Sequence, residues 1–275
     1  MPELPEVETV RRGLEKLILG ATVVKVDVFY PKMIVGDCDK FVQTLQNKTI
    51  EAVDRRGKYL LFRFSDSITM MSHLRMEGKY FVKAKGSPKE KHTHVIFYLQ
   101  DGRQLHYNDV RKFGRMELFL TGQELESSSL KKLGPEPTEA SFKLAAFYQA
   151  LQSKHKNIKT ALLDQTLVAG VGNIYADEVL WIAKIHPQTP CNKLTLDQAD
   201  LLRKAIIEEL AMASKAGGTT IRSYANAFLE EGQFQFALNV YGKKDQPCPR
   251  CQTPIVKIVV GQRGTHFCPK CQVLP

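Results

Sequence analysis

No stretch of this 275-residue chain approaches the roughly 20 consecutive apolar residues that a membrane-spanning helix needs. Nor does it open with the basic patch and apolar run of a secretory signal; its first residues are Met1-Pro2-Glu3-Leu4-Pro5-Glu6. The expectation is an intracellular protein with no segment that spans a membrane. Cysteine is scarce, six in all, and four of them stand as two close pairs near the C-terminus. A disulfide framework would spread them differently, and Cys38 and Cys191 are left as isolated thiols with structural roles. Internal repeats and low-complexity segments are absent, so nothing points to a solenoid or a disordered chain.

Basic residues, by contrast, are in excess: Lys and Arg outnumber Asp and Glu by 39 to 29, for a formal charge of +10. Such a balance favours a polyanionic partner, either nucleic acid or an anionic membrane surface, and charge alone does not choose between them. At 43% hydrophobic the chain is long enough to bury the cores of about two domains.

Periodicity divides the chain. Val7, Val10, Leu14, Leu17 and Ile18 fall at helical spacing with Gly20 placed to end the helix. Alternation follows: Val24, Val26 and Val28 are expected on one strand face, as are Leu60, Phe62 and Phe64. Further strands are expected at Ile68 to Ser72 and His94 to Leu99, with a hairpin turn at Asp101-Gly102. The segment to about Thr121 therefore reads as an antiparallel β domain of two packed sheets with the first helix against them. Gly134-Pro135-Glu136-Pro137 breaks regular structure and reads as a linker. Beyond it the period is helical, most clearly from Leu196 to Ala216, where Thr195 and Gln198 form a capping box and Gly217-Gly218 supply the stop. From Gly217 to Gly232 a long loop is expected.

Cys248-Pro-Arg-Cys251 and Cys268-Pro-Lys-Cys271 have the spacing of two knuckles around one tetrahedral zinc. A redox reading of each pair is the lesser one, because no thioredoxin-like βαβ pattern accompanies them. Closed four-cysteine sites are structural, so the metal is expected to hold the intervening hairpin and to do no chemistry. Arg263 lies at the tip of that hairpin. An ordinary solvated arginine is the common fate there, and contact with a phosphate is the alternative.

Pro2 and the early glutamates suit a helix N-terminus. A sharper reading starts from removal of Met1, which would leave Pro2 with a free secondary amine able to attack a carbonyl-like carbon and form an iminium. Glu3 and Glu6 would stand beside it as acid and base.

Taken together, Pro2-Glu-Leu-Pro-Glu-Val-Glu8, Arg56-Gly-Lys-Tyr-Leu60, Ser72-His-Leu-Arg-Met-Glu-Gly78, Asp109-Val-Arg-Lys-Phe-Gly114, Gly170-Val-Gly-Asn-Ile-Tyr-Ala-Asp-Glu178 and the finger with Arg263 resemble the formamidopyrimidine-DNA glycosylase family across nearly the whole chain. The resemblance implies an α+β protein in three parts. These are an N-terminal catalytic β-sandwich with a flanking helix over 1–133, a helix-two-turn-helix DNA-binding domain with a lesion loop over 134–240, and a zinc finger hairpin over 241–275. It implies a bifunctional base-excision enzyme that removes oxidised purines from double-stranded DNA and cleaves the strand by β,δ-elimination. The implied enzyme is a monomer at the bacterial nucleoid with one structural zinc.

By the same resemblance Pro2 attacks the sugar, Glu3 helps open it, Lys58 serves base release and β-elimination, and Arg263 assists δ-elimination while gripping phosphates. Met76, Arg111 and Phe113 are implied as the wedge that fills the gap left by the flipped base. His73, His92, Lys159 and Asn173 are implied to hold the DNA backbone. Residue type alone would make Lys58 an exposed lysine at a strand start and would put Met76 and Phe113 in the core. The loop from Thr219 to Gln235 matches the segment that closes over the flipped base, and no base-reading residue is assigned within it.

Two rivals remain at this stage. The endonuclease VIII branch shares proline, glutamate, lysine and finger but prefers oxidised pyrimidines; Leu4 and the set Met76, Arg111 and Phe113 favour the purine branch. A non-catalytic zinc-finger DNA-binding protein would account for the charge and the cysteines, but leaves the N-terminal block and Lys58 unexplained.

Overall fold

The computed structural model describes residues 1–219 and 233–274, so most of the loop expected from Thr219 to Gln235 lies outside the described residues. Two compact units divide the chain: Met1–Lys131 with residues 217–219, and Lys132–Ala216 with the chain from Gln233 onward.

The first unit begins with helix α1 (Leu4–Ile18), which turns Val7, Val10, Leu14 and Ile18 into the core and stops at Gly20, φ 76°. Strands β1 (Thr22–Val28) and β2 (Ile34–Val35) follow, then helix α2 (Cys38–Leu45). The remaining strands are β3 (Lys48–Arg56), β4 (Tyr59–Phe64), β5 (Ile68–His73), β6 (Lys79–Lys83), β7 (Thr93–Leu99), β8 (Gln104–Asn108) and β9 (Arg115–Leu120). They pair in the order β2-β9-β5-β4-β3-β1-β7-β8-β6, antiparallel except for β2 with β9.

The two sheets expected from the sequence are two layers of one hydrogen-bonded ribbon. Its halves join only where Thr22 and Val23 of β1 meet Thr49 and Lys48 of β3. Strands distant in the ribbon nonetheless touch: the Phe62 ring on β4 lies 5.3 Å from Tyr80 on β6, and the Ser72 and Tyr80 hydroxyls are 2.7 Å apart. The ribbon therefore folds back over a shared core that includes Leu60, Phe62, Phe64, Phe97, Leu105 and Tyr107.

One face assignment is corrected. Val24, expected inward with Val26 and Val28, is exposed, while Val23 is buried. A register shift between Val23 and Lys25 in the β1–β7 ladder inserts one residue and moves the inward position back by one.

In the second unit, α3 (Leu144–Gln152), α4 (Ile158–Leu163), α5 (Asn173–Ile182) and α6 (Leu196–Lys215) surround a core of Leu162, Tyr175, Leu180, Leu202 and Ile206. Both halves of the Thr195–Gln198 capping box form at the start of α6. The segment expected as a linker is docked: the Gly134 amide donates to the Gln165 carbonyl at 2.8 Å, and the Ala169 amide to that of Pro135 at 2.9 Å. Strands β10 (Val256–Val260) and β11 (Arg263–Phe267) form the C-terminal hairpin.

Glu178 on α5 fastens the approach to that hairpin by accepting the amides of Asn239, Val240 and Tyr241 at 2.8 to 2.9 Å. Glu209 on α6 is buried too, and burial together with the nearby Glu178 charge raises its carboxyl to about 7. A raised acid favours the folded state while protonated, so this contribution is complete below about pH 4.5 and is lost by about pH 7. The full loss amounts to about 3 kcal/mol. Urea denaturation of Glu209→Gln should therefore show a flatter decline in stability between those pH values than the parent chain, and parallel curves would refute the raised value.

Candidate active site and nucleic-acid interface

In the first unit the chain start is built into the protein. Pro2 and Glu3 are buried, and the Glu3 amide donates to the Glu6 carboxylate at 2.8 Å, part of a capping box at the head of α1. Pro5, in the first turn, brings no amide that needs a partner. Burial pushes the Met1 α-amine below its ordinary value and Lys58 adds to the effect, while Glu3, Glu6 and Glu77 oppose it. These groups therefore surround the beginning of the chain.

Glu6, expected as an acid or base beside Pro2, also accepts the Thr219 amide at 2.8 Å and the Thr219 hydroxyl at 3.1 Å, so its carboxylate holds backbone in place. The approach needs Gly218, at φ 75°, where a Cβ would lie 2.7 Å from the Glu6 carboxylate. Thr219 was not singled out from the sequence.

Lys58 is not the exposed lysine that its residue type suggested; only 5% of its surface is open. The register pairs Arg56 with Tyr59, so Gly57 and Lys58 form a two-residue hairpin turn in which Gly57 supplies the positive φ of 56°. Next to it, His73 ends β5 edge-on to Tyr59, with ring centroids 4.4 Å apart. Burial, with help from Arg75 and Lys58, lowers His73 to about 3, so the ring is neutral at ordinary pH. Its Nδ1 accepts the Arg75 amide at 2.9 Å, which leaves the proton on Nε2 as a donor suited to a phosphate oxygen.

Met76 and Phe113 lie outside the core, 40% and 47% exposed, each on a loop between strands. The exposed Arg111 guanidinium stacks 4.9 Å from the centre of the Phe113 ring. Buried Asp109 organises this loop, accepting the Arg111 amide at 3.0 Å and the Gly114 amide at 2.8 Å. Its own amide donates to the carbonyl of half-buried His92 at 3.0 Å. The sequence motif contained Asp109, but nothing in its residue type announced this clasp.

In the second unit Lys159 requires a correction. Expected to grip the DNA backbone, it has no exposed surface: its ammonium pairs with Asp177 at 2.5 Å and donates to the Gly264 carbonyl at 3.2 Å. Asn173, at the start of α5, donates to the same carbonyl at 3.0 Å, and Asp177 accepts the His266 amide at 2.8 Å. These bonds fix the strand that carries the exposed Arg263, next to the Gly261-Gln262 turn with φ of 54° and 62°.

The Cys248, Cys251, Cys268 and Cys271 sulfurs all lie within 4.8 Å of one another, with separations of 3.9, 3.4 and 3.5 Å in three pairs. A zinc with bonds of about 2.3 Å to four thiolates needs sulfurs about 3.8 Å apart. The set fits one structural zinc, which leaves no open position for catalysis. The Trp181 indole donates to the Cys248 sulfur at 3.4 Å, and the Arg250 guanidinium lies 3.7 Å from the centre of the Trp181 ring, joining the finger to α5.

A folded-over sheet that buries its own chain start beside a lysine, followed by a helical unit ending in a four-thiolate finger, defines a zinc-finger DNA-repair glycosylase. The chain belongs to the formamidopyrimidine-DNA glycosylase family. Residues 1–116 match the family's N-terminal domain, 133–225 its H2TH domain, and 245–273 the zinc finger found in FPG and IleRS. The formamidopyrimidine-DNA glycosylase of Ligilactobacillus salivarius is 62% identical over 100% of this chain and 99% of its own. That of Lactiplantibacillus plantarum is 58% identical over 98% of each. Among solved structures, the Lactococcus lactis Fpg with abasic-site DNA is 48% identical at a TM-score of 0.94, covering 98% of this chain and 99% of that one. A point mutant of the same Lactococcus lactis protein, with Fapy-dG DNA, has a TM-score of 0.95 at the same 48% identity, covering 99% and 100%.

Two outcomes are expected. Chelation should release Trp181, the sole tryptophan, from the finger and shift its emission to the red while the sheet unit stays folded; an unchanged emission on zinc loss would contradict the contact. Asp109→Ala should cost about 2 kcal/mol in urea denaturation, because two amides lose a charged acceptor. A cost near zero would show that the loop holds itself.

Proposed function

We propose that this protein excises oxidised purines, 8-oxoguanine and formamidopyrimidines, from duplex DNA and then cleaves the strand at the abasic site, with Pro2 as nucleophile. The observation that carries the proposal is the chain start itself, buried among Glu3, Glu6 and Lys58. The named activity of the relatives and the damaged DNA held by the Lactococcus lactis structures support it.

With Met1 removed, the Pro2 nitrogen forms a bond to C1′ of the damaged nucleotide as the bond from C1′ to the base breaks. The base leaves with the electron pair and takes up a proton, and the Pro2 nitrogen gives up its own proton, which frees the lone pair that forms the iminium. Glu3 protonates the ring oxygen as the sugar opens, giving an iminium. The iminium is an electron sink that acidifies the neighbouring sugar proton. Lys58 is assigned to base release and to removal of that proton, so that one phosphate leaves by elimination. A second elimination, assisted by Arg263, releases the other. No step needs a metal, and the zinc only holds the hairpin that carries Arg263.

Met76, Arg111 and Phe113 take the place of the flipped nucleotide, the apolar pair entering the stack and Arg111 bonding the orphaned base. His73, His92 and Asn173 serve the backbone near the lesion, with Lys159 acting behind Asn173. Among the described residues no helix is long and apolar enough to cross a membrane. The proposal includes that the enzyme works as a monomer at the nucleoid in the cytoplasm.

Borohydride should trap the protein covalently on 8-oxoguanine duplex, and an acylated Pro2 should lower trapping by at least about 10³-fold, the scale on which a lost nucleophile is felt. Efficient trapping with the amine blocked would refute the mechanism. DNA binding without an adduct in either form would favour a binding module, and preference for thymine glycol over 8-oxoguanine would move the chain to the pyrimidine branch.

A further inference from the structure

The two wedge loops lie between different strand pairs, Met76 between β5 and β6, and Arg111 with Phe113 between β8 and β9. Each has its own local tie: the Gly78 amide donates to the Leu74 carbonyl at 2.9 Å, and Gly114 is bound to Asp109. The ends of the two loops are paired through the sheet, His73 with Arg115 between β5 and β9 and Lys79 with Asn108 between β6 and β8. Between those ends a side chain lies against both loops. Tyr107 on β8 is wholly buried, and its ring lies 4.9 Å from its cross-strand partner Tyr80, which in turn meets Phe62. At the far end of this aromatic ladder the Tyr107 hydroxyl lies against both glycines. A Cβ on Gly78 would be 2.2 Å from that oxygen, and one on Gly114 would be 1.8 Å from it. Neither glycine accepts any side chain without displacing the tyrosine or the loop.

We propose that the Tyr107 hydroxyl is a positioning group that fixes the two wedge loops against each other, so that Met76 and the Arg111–Phe113 pair enter the opened DNA step as one rigid unit. The inference rests on the wedge assignment made above. The physical need is precision: groups inserted into a base stack act only when held within about 0.5 Å, and an exposed loop lacks the packing to hold itself there. The rigid sheet supplies that packing through a phenol whose ring is locked in the core. A phenylalanine would fill the same ring site but leave a gap between the glycines, loosening the middle of each loop against the other while the paired strand ends stay in place.

The test compares Tyr107→Phe with the parent enzyme on two substrates. On 8-oxoguanine paired in duplex, where the stack must be opened, single-turnover excision should fall about tenfold, while cleavage of a preformed abasic site in single-stranded DNA should change less than about twofold. Loss of both to the same degree would mark a merely structural residue, and no loss on duplex would also overturn the proposal. Met76→Ala and Phe113→Ala serve as controls for the wedge. If neither slows duplex excision, the wedge assignment fails; if they do and Tyr107→Phe does not, only the positioning role fails. Should Tyr107→Phe not fold, the double-mutant cycle between Met76→Ala and Phe113→Ala decides. Loops moving as one unit should deviate from additivity by about threefold or more, and additive effects would refute the coupling.

Discussion

A buried carboxylate that accepts backbone amides from irregular chain, near or far in sequence, is the interaction on which this protein's working parts depend. Glu6 takes the amides of Glu3 and Thr219, Asp109 those of Arg111 and Gly114, Asp177 that of His266, and Glu178 those of Asn239, Val240 and Tyr241. In each case the amides belong to a stretch without a regular ladder of its own or to a hairpin that must be placed. A loop amide left unpaired in the interior costs about 1 to 3 kcal/mol, and a carboxylate can satisfy several such donors at once. Charged acceptors also make stronger bonds than carbonyls do. Irregular backbone is thereby held nearly as firmly as strand, which a site built on loops requires.

The same device accounts for Lys159. An ammonium with no access to water is costly unless paired and hydrogen-bonded, and Asp177 and the Gly264 carbonyl provide both. Removing either partner would strand a charge in the interior, so α4, α5 and the hairpin are tied to one arrangement. Zinc performs the corresponding task at the other end of the finger, where Trp181 and Arg250 join the knuckle to α5. The hairpin is thus held at both ends while Arg263 remains exposed.

This logic explains which features could be read from the sequence. Helix α1, the capping box of α6, the knuckles and their hairpin all follow from local spacing, and they appear where periodicity and turn chemistry place them. Val24 was misplaced because a bulge shifts the inward face by one residue, and a bulge leaves no mark in an alternating run of valines. Met76 and Phe113 have core chemistry and exposed positions, so only the family resemblance of the motifs around them pointed away from the core. Lys58 has the residue type of a surface lysine and Lys159 was expected on the DNA backbone; the burial of Lys159 is decided by Asp177 and Gly264, partners distant in sequence. Asp109 and Asp177 stand in the motifs without an expected role, because an acid that clasps a loop has the same letter as one in solvent, and Thr219 enters the sequence reading only as a loop boundary.

There is an electrostatic consequence for the surface. Glu3, Glu6, Asp109, Glu124, Asp177, Glu178 and Glu209 are all buried, so a sizeable share of the chain's acids is withdrawn from solvent, while Arg111 and Arg263 remain exposed. Among the described residues Lys58, Lys159 and Arg203 are buried as well, so more acids than cations are withdrawn, and the exposed surface is more basic than the formal charge of +10 states. For a protein that must search along phosphates before it finds a lesion, that separation serves both ends: the acids hold loops in place from within, and the excess of exposed cations supplies the long-range attraction that brings duplex to them.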